Sequence, residues 1–200
     1  MARTPMPSET TRGVERHPLK PFLPEGARLL MLGSFPPARH RWCMDFFYPN
    51  FTNDMWRIFG LCLHGDKQFF VDEEHHTFRR EAIERMLRER RIAIYDTAEA
   101  VIRTKNTASD KDLQVVRPTD LQQLINRMPS LRAIVTTGEK ASALAAEQLG
   151  VQVPKVGSFV ECTCQGRPLR LYRMPSSSRA YPMKVEKKAE YYERMLNVEC

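Results

Sequence analysis

Four short strand-like segments recur along this chain, the first three apolar and the last alternating apolar with basic residues, each followed by a segment with helical spacing, and that alternation restricts the fold more than any other feature. They fall at 28–32, 91–96, 131–136 and 169–174. Short apolar runs bounded by turn residues read as buried strands. Between them the apolar residues recur at three- and four-residue intervals. The segment Thr52–Leu63 places Trp56, Ile58, Phe59 and Leu63 inward, with Thr52 or Asn53 as N-cap and Asp54 in the first turn. A helix over about 78–90 carries Ile83, Met86 and Leu87 on one face. Pro118 and Thr119 open a third, with Leu121, Leu124, Ile125 and Met128 in register. A fourth spans about 139–149 and stops at Gly150, and a fifth spans about 182–196 with Val185, Ala189, Tyr192 and Leu196 aligned. Residues 64–77 read as irregular and 97–117 as loop-rich. Val153–Val160 supplies another extended piece, and Gln165–Pro168 a turn. The alternation predicts an α/β fold: a three-layer α/β/α sandwich with a mostly parallel central sheet.

A chain of 200 residues is long enough for one well-filled core. The expected organisation is a flexible N-terminal arm over 1–24, which holds five of the 14 prolines, and one domain over 25–200. No apolar run reaches 18 residues, so no membrane span is expected, and residues 1–17 lack an apolar signal core. The five cysteines, at 43, 62, 162, 164 and 200, are odd in number and irregularly spaced. That pattern suits a reduced cytoplasmic compartment and completes no zinc or iron–sulfur set. His75 and His76 follow two glutamates but have no third ligand in register. No metal and no cofactor are therefore expected. The excess of 31 Lys and Arg over 24 Asp and Glu, a net charge of +7, is compatible with a polyanionic partner. There is no G-x-G-x-x-G and no Walker sequence.

The densest chemistry lies in Arg28–Trp56. An apolar strand breaks at Gly33-Ser34, turns through Pro36-Pro37 and delivers an aromatic-rich loop ending in Asn53 and Trp56. A buried strand that stops at such a turn puts its loop at the carboxyl edge of the sheet, where open α/β folds bind ligands. Two other strand ends, Tyr95-Asp96-Thr97 and Met174-Pro175-Ser176-Ser177-Ser178, should converge on the same edge.

The ordered set GSFPP, YPNFTNDMW, IAIYD and MPSSSRAY resembles the uracil-DNA glycosylase superfamily, and is most similar to its hypoxanthine-DNA glycosylase and mismatch-specific branches. The likeness spans about residues 28 to 196. It implies a monofunctional glycosylase that hydrolyses the N-glycosidic bond of a deaminated base in DNA, uracil or hypoxanthine, without metal or cofactor. It also implies a protein that works on the nucleoid as a monomer, with damaged or mismatched DNA as partner and no membrane. By this resemblance Asn53 holds the attacking water, a positioning role that an amide can fill although it is no general base. As a bare residue Asn53 reads equally as a helix cap. Asp96 lines the base pocket, either as a hydrogen-bond acceptor or as an acid. Gly33, Ser34, Phe35 and Pro36 form the turn whose available backbone N–H groups reach the leaving base, proline itself having none. One of Phe35, Phe46, Phe47, Tyr48 and Phe51 stacks on it, with Phe47 the choice. Pro175, Ser176, Ser177, Ser178 and Arg179 grip phosphate, Arg179 or Tyr181 enters the duplex, and Arg167, Arg170, Arg173 and Lys184 add charge.

This chain departs from that pattern in places. Met174 stands where the uracil-specific branch has histidine, Ser34 and Phe35 where it has aspartate, and Arg179 where proline is usual. Asn50 and Phe51 replace the histidine and proline common in near relatives. These bear on substrate more than on fold. They leave a second reading open, a DNA-binding or damage-sensing protein without turnover, and a third, a nucleotide-binding enzyme of another α/β family.

Overall fold

A computed structural model describes residues 13–105 and 110–200. In chain order its first elements are β1 (Val14–Arg16), β2 (Leu29–Gly33), α1 (Met55–His64), β3 (Val71–Asp72), β4 (Thr77–Phe78) and α2 (Arg80–Glu89). Then follow β5 (Ile92–Asp96), β6 (Ala98–Arg103), β7 (Leu113–Pro118), α3 (Leu121–Asn126) and β8 (Ala133–Thr137). The last are α4 (Glu139–Leu149), β9 (Ser158–Cys164), β10 (Arg167–Met174) and α5 (Val185–Glu199).

The three-layer α/β/α sandwich is built on a five-stranded sheet in the order β5–β2–β8–β10–β9. β5, β2, β8 and β10 are parallel, and β9 closes the edge antiparallel to β10. All five residues of each of β2, β5 and β8 are buried, as strands covered on both faces must be. Helix α1 packs along α5, α2 lies on β5, and α4 lies on β8 and β9. From β2 the chain moves to one neighbour, β5, and then crosses to the other, β8. The order reverses beside β2, and loops at the carboxyl ends there splay apart to leave a crevice.

Two stretches differ from expectation. Residues 97–117 are not loop-rich. β6 and β7 form an antiparallel hairpin which, with β1, makes a second three-stranded sheet. Val101, Ile102, Val115 and Val116 interleave with charged residues because one face of this sheet meets solvent, and that dilutes the apolar signal. Nor is the described part of the arm loose. β1 pairs with β6, and Phe22 exchanges backbone hydrogen bonds of 3.0 and 2.9 Å with Ile94. Residues 1–12 lie outside the described residues.

Smaller shifts have local causes. Pro118 ends β7 instead of opening a helix, and Asp120 caps α3 by accepting from Gln123 N–H at 2.9 Å. The expected strand over 153–160 starts only at Ser158, beyond Pro154 and the left-handed Gly157. The irregular stretch 64–77 contains the small β3–β4 hairpin. Gly150 ends α4 at φ +65°, as expected.

Leu30, in a central strand and with no exposed surface, offers a test of this frame. Leu30→Ala should cost about 2–5 kcal/mol. In urea unfolding the midpoint should fall while the slope stays unchanged.

Candidate active site

At the carboxyl edge of the parallel strands lies a cleft of about 1230 Å³. Four separate stretches of sequence meet there. Gly33–Pro36 leave β2, Asn53 precedes α1, Asp96 ends β5, and Ser176–Arg179 follow β10. Of the strand-end motif residues Gly33–Pro36, Asn53, Asp96 and Pro175–Arg179, Pro175 is set back from the cleft, its carbonyl accepting from the Tyr192 hydroxyl at 3.0 Å.

Gly33 is required by close approach. A Cβ on it would stand 2.4 Å from Asp96 Oδ1 and 3.4 Å from the Tyr48 hydroxyl. The missing side chain therefore lets the Asp96 carboxylate sit against the end of β2. The Gly33 and Ser34 carbonyls accept from Thr97 and Ala98 N–H at 2.9 and 3.2 Å, which binds the turn to the start of β6. Asp96 is 6 % exposed and its Oδ2 lies 2.9 Å from His17 Nε2.

The loop 34–53 is held from beneath by α1. Trp56, without exposed surface, donates its indole N–H to the Phe47 carbonyl at 3.1 Å. The Arg57 guanidinium donates to the carbonyls of Phe51 and Asn53 at 2.8 and 3.1 Å. Asn53 itself is half-buried. Its Oδ1 accepts from Met55 N–H at 2.9 Å, so the amide stabilises the first turn. The structural N-cap is Asp54, not Thr52 or Asn53. Oδ1 has a second lone pair, so the amide that bonds Met55 N–H can also accept a hydrogen bond from a water in the cleft.

Among the five aromatic candidates, Phe35, Phe47 and Tyr48 line the cleft. Phe47 is 3 % exposed and meets Phe46 and Tyr95 edge-on. Phe46 is turned into the core, and Phe51 packs on His76, Phe78 and Arg57. Tyr48 takes φ +49°, and its hydroxyl lies 3.0 Å from Thr137 Oγ1. Burial, reinforced by the nearby Asp96 carboxylate, pushes its pKa above the ordinary phenol value.

The loop after β10 is organised by its own hydroxyls. Ser176 Oγ accepts from Ser178 N–H at 3.2 Å, and Ser178 Oγ from Ala180 N–H at 3.3 Å. Ser177 is buried, while Ser178 and Arg179 are exposed at the rim with Tyr181 beside them. The basic residues of β10 do not join them. Arg167 donates to carbonyls of Ile125, Met128 and Pro129, Arg170 pairs with Glu199 at 2.8 Å, and Arg173 donates to Pro154.

Three groups escaped the sequence reading. Lys188, on α5 and with no exposed surface, donates to Asp54 Oδ2 at 2.9 Å and to the Ser178 carbonyl at 2.8 Å. A lysine in line with Ala189 and Tyr192 gave the only hint. Asp110, at the foot of the β6–β7 hairpin, lines the cleft and accepts from the Ser34 hydroxyl at 2.6 Å. Burial raises its pKa above the ordinary carboxylate value. His17 stands behind Asp96. No sequence signal ties either residue to the motifs. Among the described residues no His, Cys, Asp and Glu cluster could hold a metal ion, and no helix is long and apolar enough to cross a membrane.

No family profile and no curated protein matches the chain. Among solved structures it is similar to the solution structure of a Methanosarcina acetivorans protein described as a candidate uracil DNA glycosylase. The TM-score is 0.59 at 22% identity, covering 92% of this chain and 99% of that one. At that identity the likeness establishes a shared α/β architecture.

Two stability experiments probe this arrangement. Lys188→Met should cost about 3–5 kcal/mol, because it leaves the buried Asp54 carboxylate with only the exposed Arg179 at 3.6 Å as ion partner, and adding Asp54→Leu should recover most of the loss. Both are read by chemical denaturation. Asp110 has a folded pKa above its unfolded value near 3.8, so its favourable contribution is complete below that value and is lost as pH rises through the folded pKa. Asp110→Asn keeps an acceptor for Ser34. It should therefore be more stable than wild type at pH 7, with the difference vanishing toward pH 3.

Proposed function

We propose that this chain is a monofunctional DNA glycosylase that hydrolyses the N-glycosidic bond of a deaminated base, uracil or hypoxanthine, in DNA. One observation carries the reading. Four stretches far apart in sequence, GSFP, the Asn53 segment, Asp96 and PSSSR, line a single cleft at the edge where α/β folds place ligands. The shared architecture with the Methanosarcina acetivorans protein supports it.

An enzyme of this kind must take its target base out of the stack, at a cost of a few kcal/mol. Stacking on one aromatic face returns about 1–3 kcal/mol. Phe35, Phe47 and Tyr48 supply apolar wall for the flipped base. Asn53 holds a water through Oδ1, its orientation already set by the bond from Met55 N–H. Asp96 either takes a proton from that water or faces the positive charge that builds on the deoxyribose. The C1′–N bond breaks, the water oxygen bonds to C1′, and the base leaves as an anion that donors of the 33–37 turn stabilise before it is protonated. Ser176, Ser178 and Arg179 at the rim contact the phosphates that flank the extruded nucleotide.

The test is base release from labelled oligonucleotides holding uracil or hypoxanthine, single-stranded and in mismatches. Wild type should release one of these bases and leave an abasic site. Asn53→Ala should lose at least about 100-fold in rate, since a misplaced reactant costs that much. Salt-sensitive DNA binding without release from any substrate would instead favour a damage-sensing protein of the same fold.

A further inference from the structure

The candidate carboxylate Asp96 has a partner from outside the four stretches. His17 precedes the central sheet by twelve residues, yet its side chain is 2 % exposed and its Nε2 lies 2.9 Å from Asp96 Oδ2. The imidazole is fixed on every side. Leu19 N–H and its carbonyl oxygen lie 3.1 and 2.9 Å from Nδ1. Phe35 meets the ring edge-on at 5.4 Å, and Tyr95 and Phe47 lie at 4.7 and 6.2 Å. The backbone is fixed as well. His17 N–H donates to the Glu99 carbonyl at 2.8 Å, continuing the pairing of β1 with β6. Such enclosure exceeds what a surface ion pair needs.

The geometry divides the two oxygens of Asp96. Oδ2 faces His17, while Oδ1 lies over Gly33, where any Cβ would stand 2.4 Å away. Tyr48 and Asp110 approach from the cleft side, and Tyr95 from β5. We propose that His17 is a positioning residue for Asp96, holding Oδ2 by its Nε2–H so that Oδ1 is presented to the cleft in one orientation. This rests on the glycosylase reading of the cleft. Toward an ionised Asp96 the Nε2 nitrogen is the donor, whichever Leu19 group Nδ1 uses. A carboxylate held by one donor cannot rotate away from the reacting sugar. That constraint acts on the chemical step more than on binding. It also makes the segment before β2 part of the catalytic apparatus, although no glycosylase-like motif reaches it.

The experiment pairs two substitutions that separate packing from hydrogen bonding. His17→Phe keeps an aromatic ring against Phe35 and Tyr95 but removes the donor, and His17→Gln keeps a donor and loses the ring. With base release as the assay, His17→Phe should lose up to about 100-fold in kcat with KM nearly unchanged. His17→Gln should recover part of that loss, and His17→Phe should cost nothing further in an Asp96→Asn background. A readout independent of turnover is the imidazole Nε2–H resonance in the wild-type proton NMR spectrum, which should lie far downfield and move upfield in Asp96→Asn. Full activity in His17→Phe, greater activity in it than in His17→Gln, or a resonance indifferent to Asp96 would each overturn the proposal. Base release by wild type that is unaffected at His17 would sink this inference alone. Absence of release by wild type would sink the glycosylase reading, and the positioning role with it, even if the resonance shows the pair to be formed.

Discussion

The ammonium of Lys188 sits where no water reaches it, and the shape of the cleft depends on what it touches. Removing an ion from water costs several kcal/mol even after relaxation. That cost is offset here by the Asp54 carboxylate at 2.9 Å, the Ser178 carbonyl at 2.8 Å and the face of Tyr181 at 6.0 Å. A buried pair of this kind is a weak source of net stability, but it is selective, because few arrangements satisfy both charges at once. Here it locks three elements: α5 through Lys188, the start of α1 through Asp54, and the loop after β10 through Ser178. Asp54 N–H adds a bond of 2.9 Å to the Ser177 carbonyl. The residue beside Asp54 is Asn53, and the residue after Ser178 is Arg179. One buried contact thus sets the distance between the proposed water-holding amide and the proposed phosphate-gripping rim.

Most of the frame was legible because its strands are covered on both faces. The three central strands β2, β5 and β8 show unbroken apolar runs, whereas β10 alternates apolar residues with Arg170 and Arg173; all four were readable within two residues. The β6–β7 hairpin was not, since its exposed face mixes charged residues into the same window. The cleft was legible in the same uneven way. Every stretch that leaves a strand at the carboxyl edge is marked by a local break: Gly33, Asp96 or Pro175. The residues behind the edge carry no such mark. His17, Asp110 and Lys188 reach the site from 79, 76 and 134 positions away in sequence from their partners. Their roles follow from tertiary placement, which periodicity does not record. Asn53 illustrates the overlap of roles, since the amide that suggested water positioning also stabilises the start of a helix.

The distribution of charge bears on which of the candidate activities fits. The chain is net positive by seven, and Arg179 stands at the rim of the cleft. Deeper in, the carboxyl groups of Asp96 and Asp110 line the cleft, with Arg103 and Lys140 near the second of them. Burial, with the nearby Asp96 carboxyl adding to it, disfavours ionisation of Asp110. A phosphate entering between two carboxyl groups would meet repulsion where a nucleotide-binding enzyme needs donors and positive charge. The Ser34 hydroxyl already donates to Asp110 at 2.6 Å and is not free to serve such a ligand. A neutral base carrying N–H donors meets no such penalty, and acceptor oxygens on the floor are suited to receive it. An exposed arginine at the mouth and two carboxyl groups within suit the proposed substrate, a polymer whose phosphates stay outside while one base goes in. That arrangement weighs against the reading as a nucleotide-binding enzyme of another α/β family and in favour of a nucleic acid as the partner.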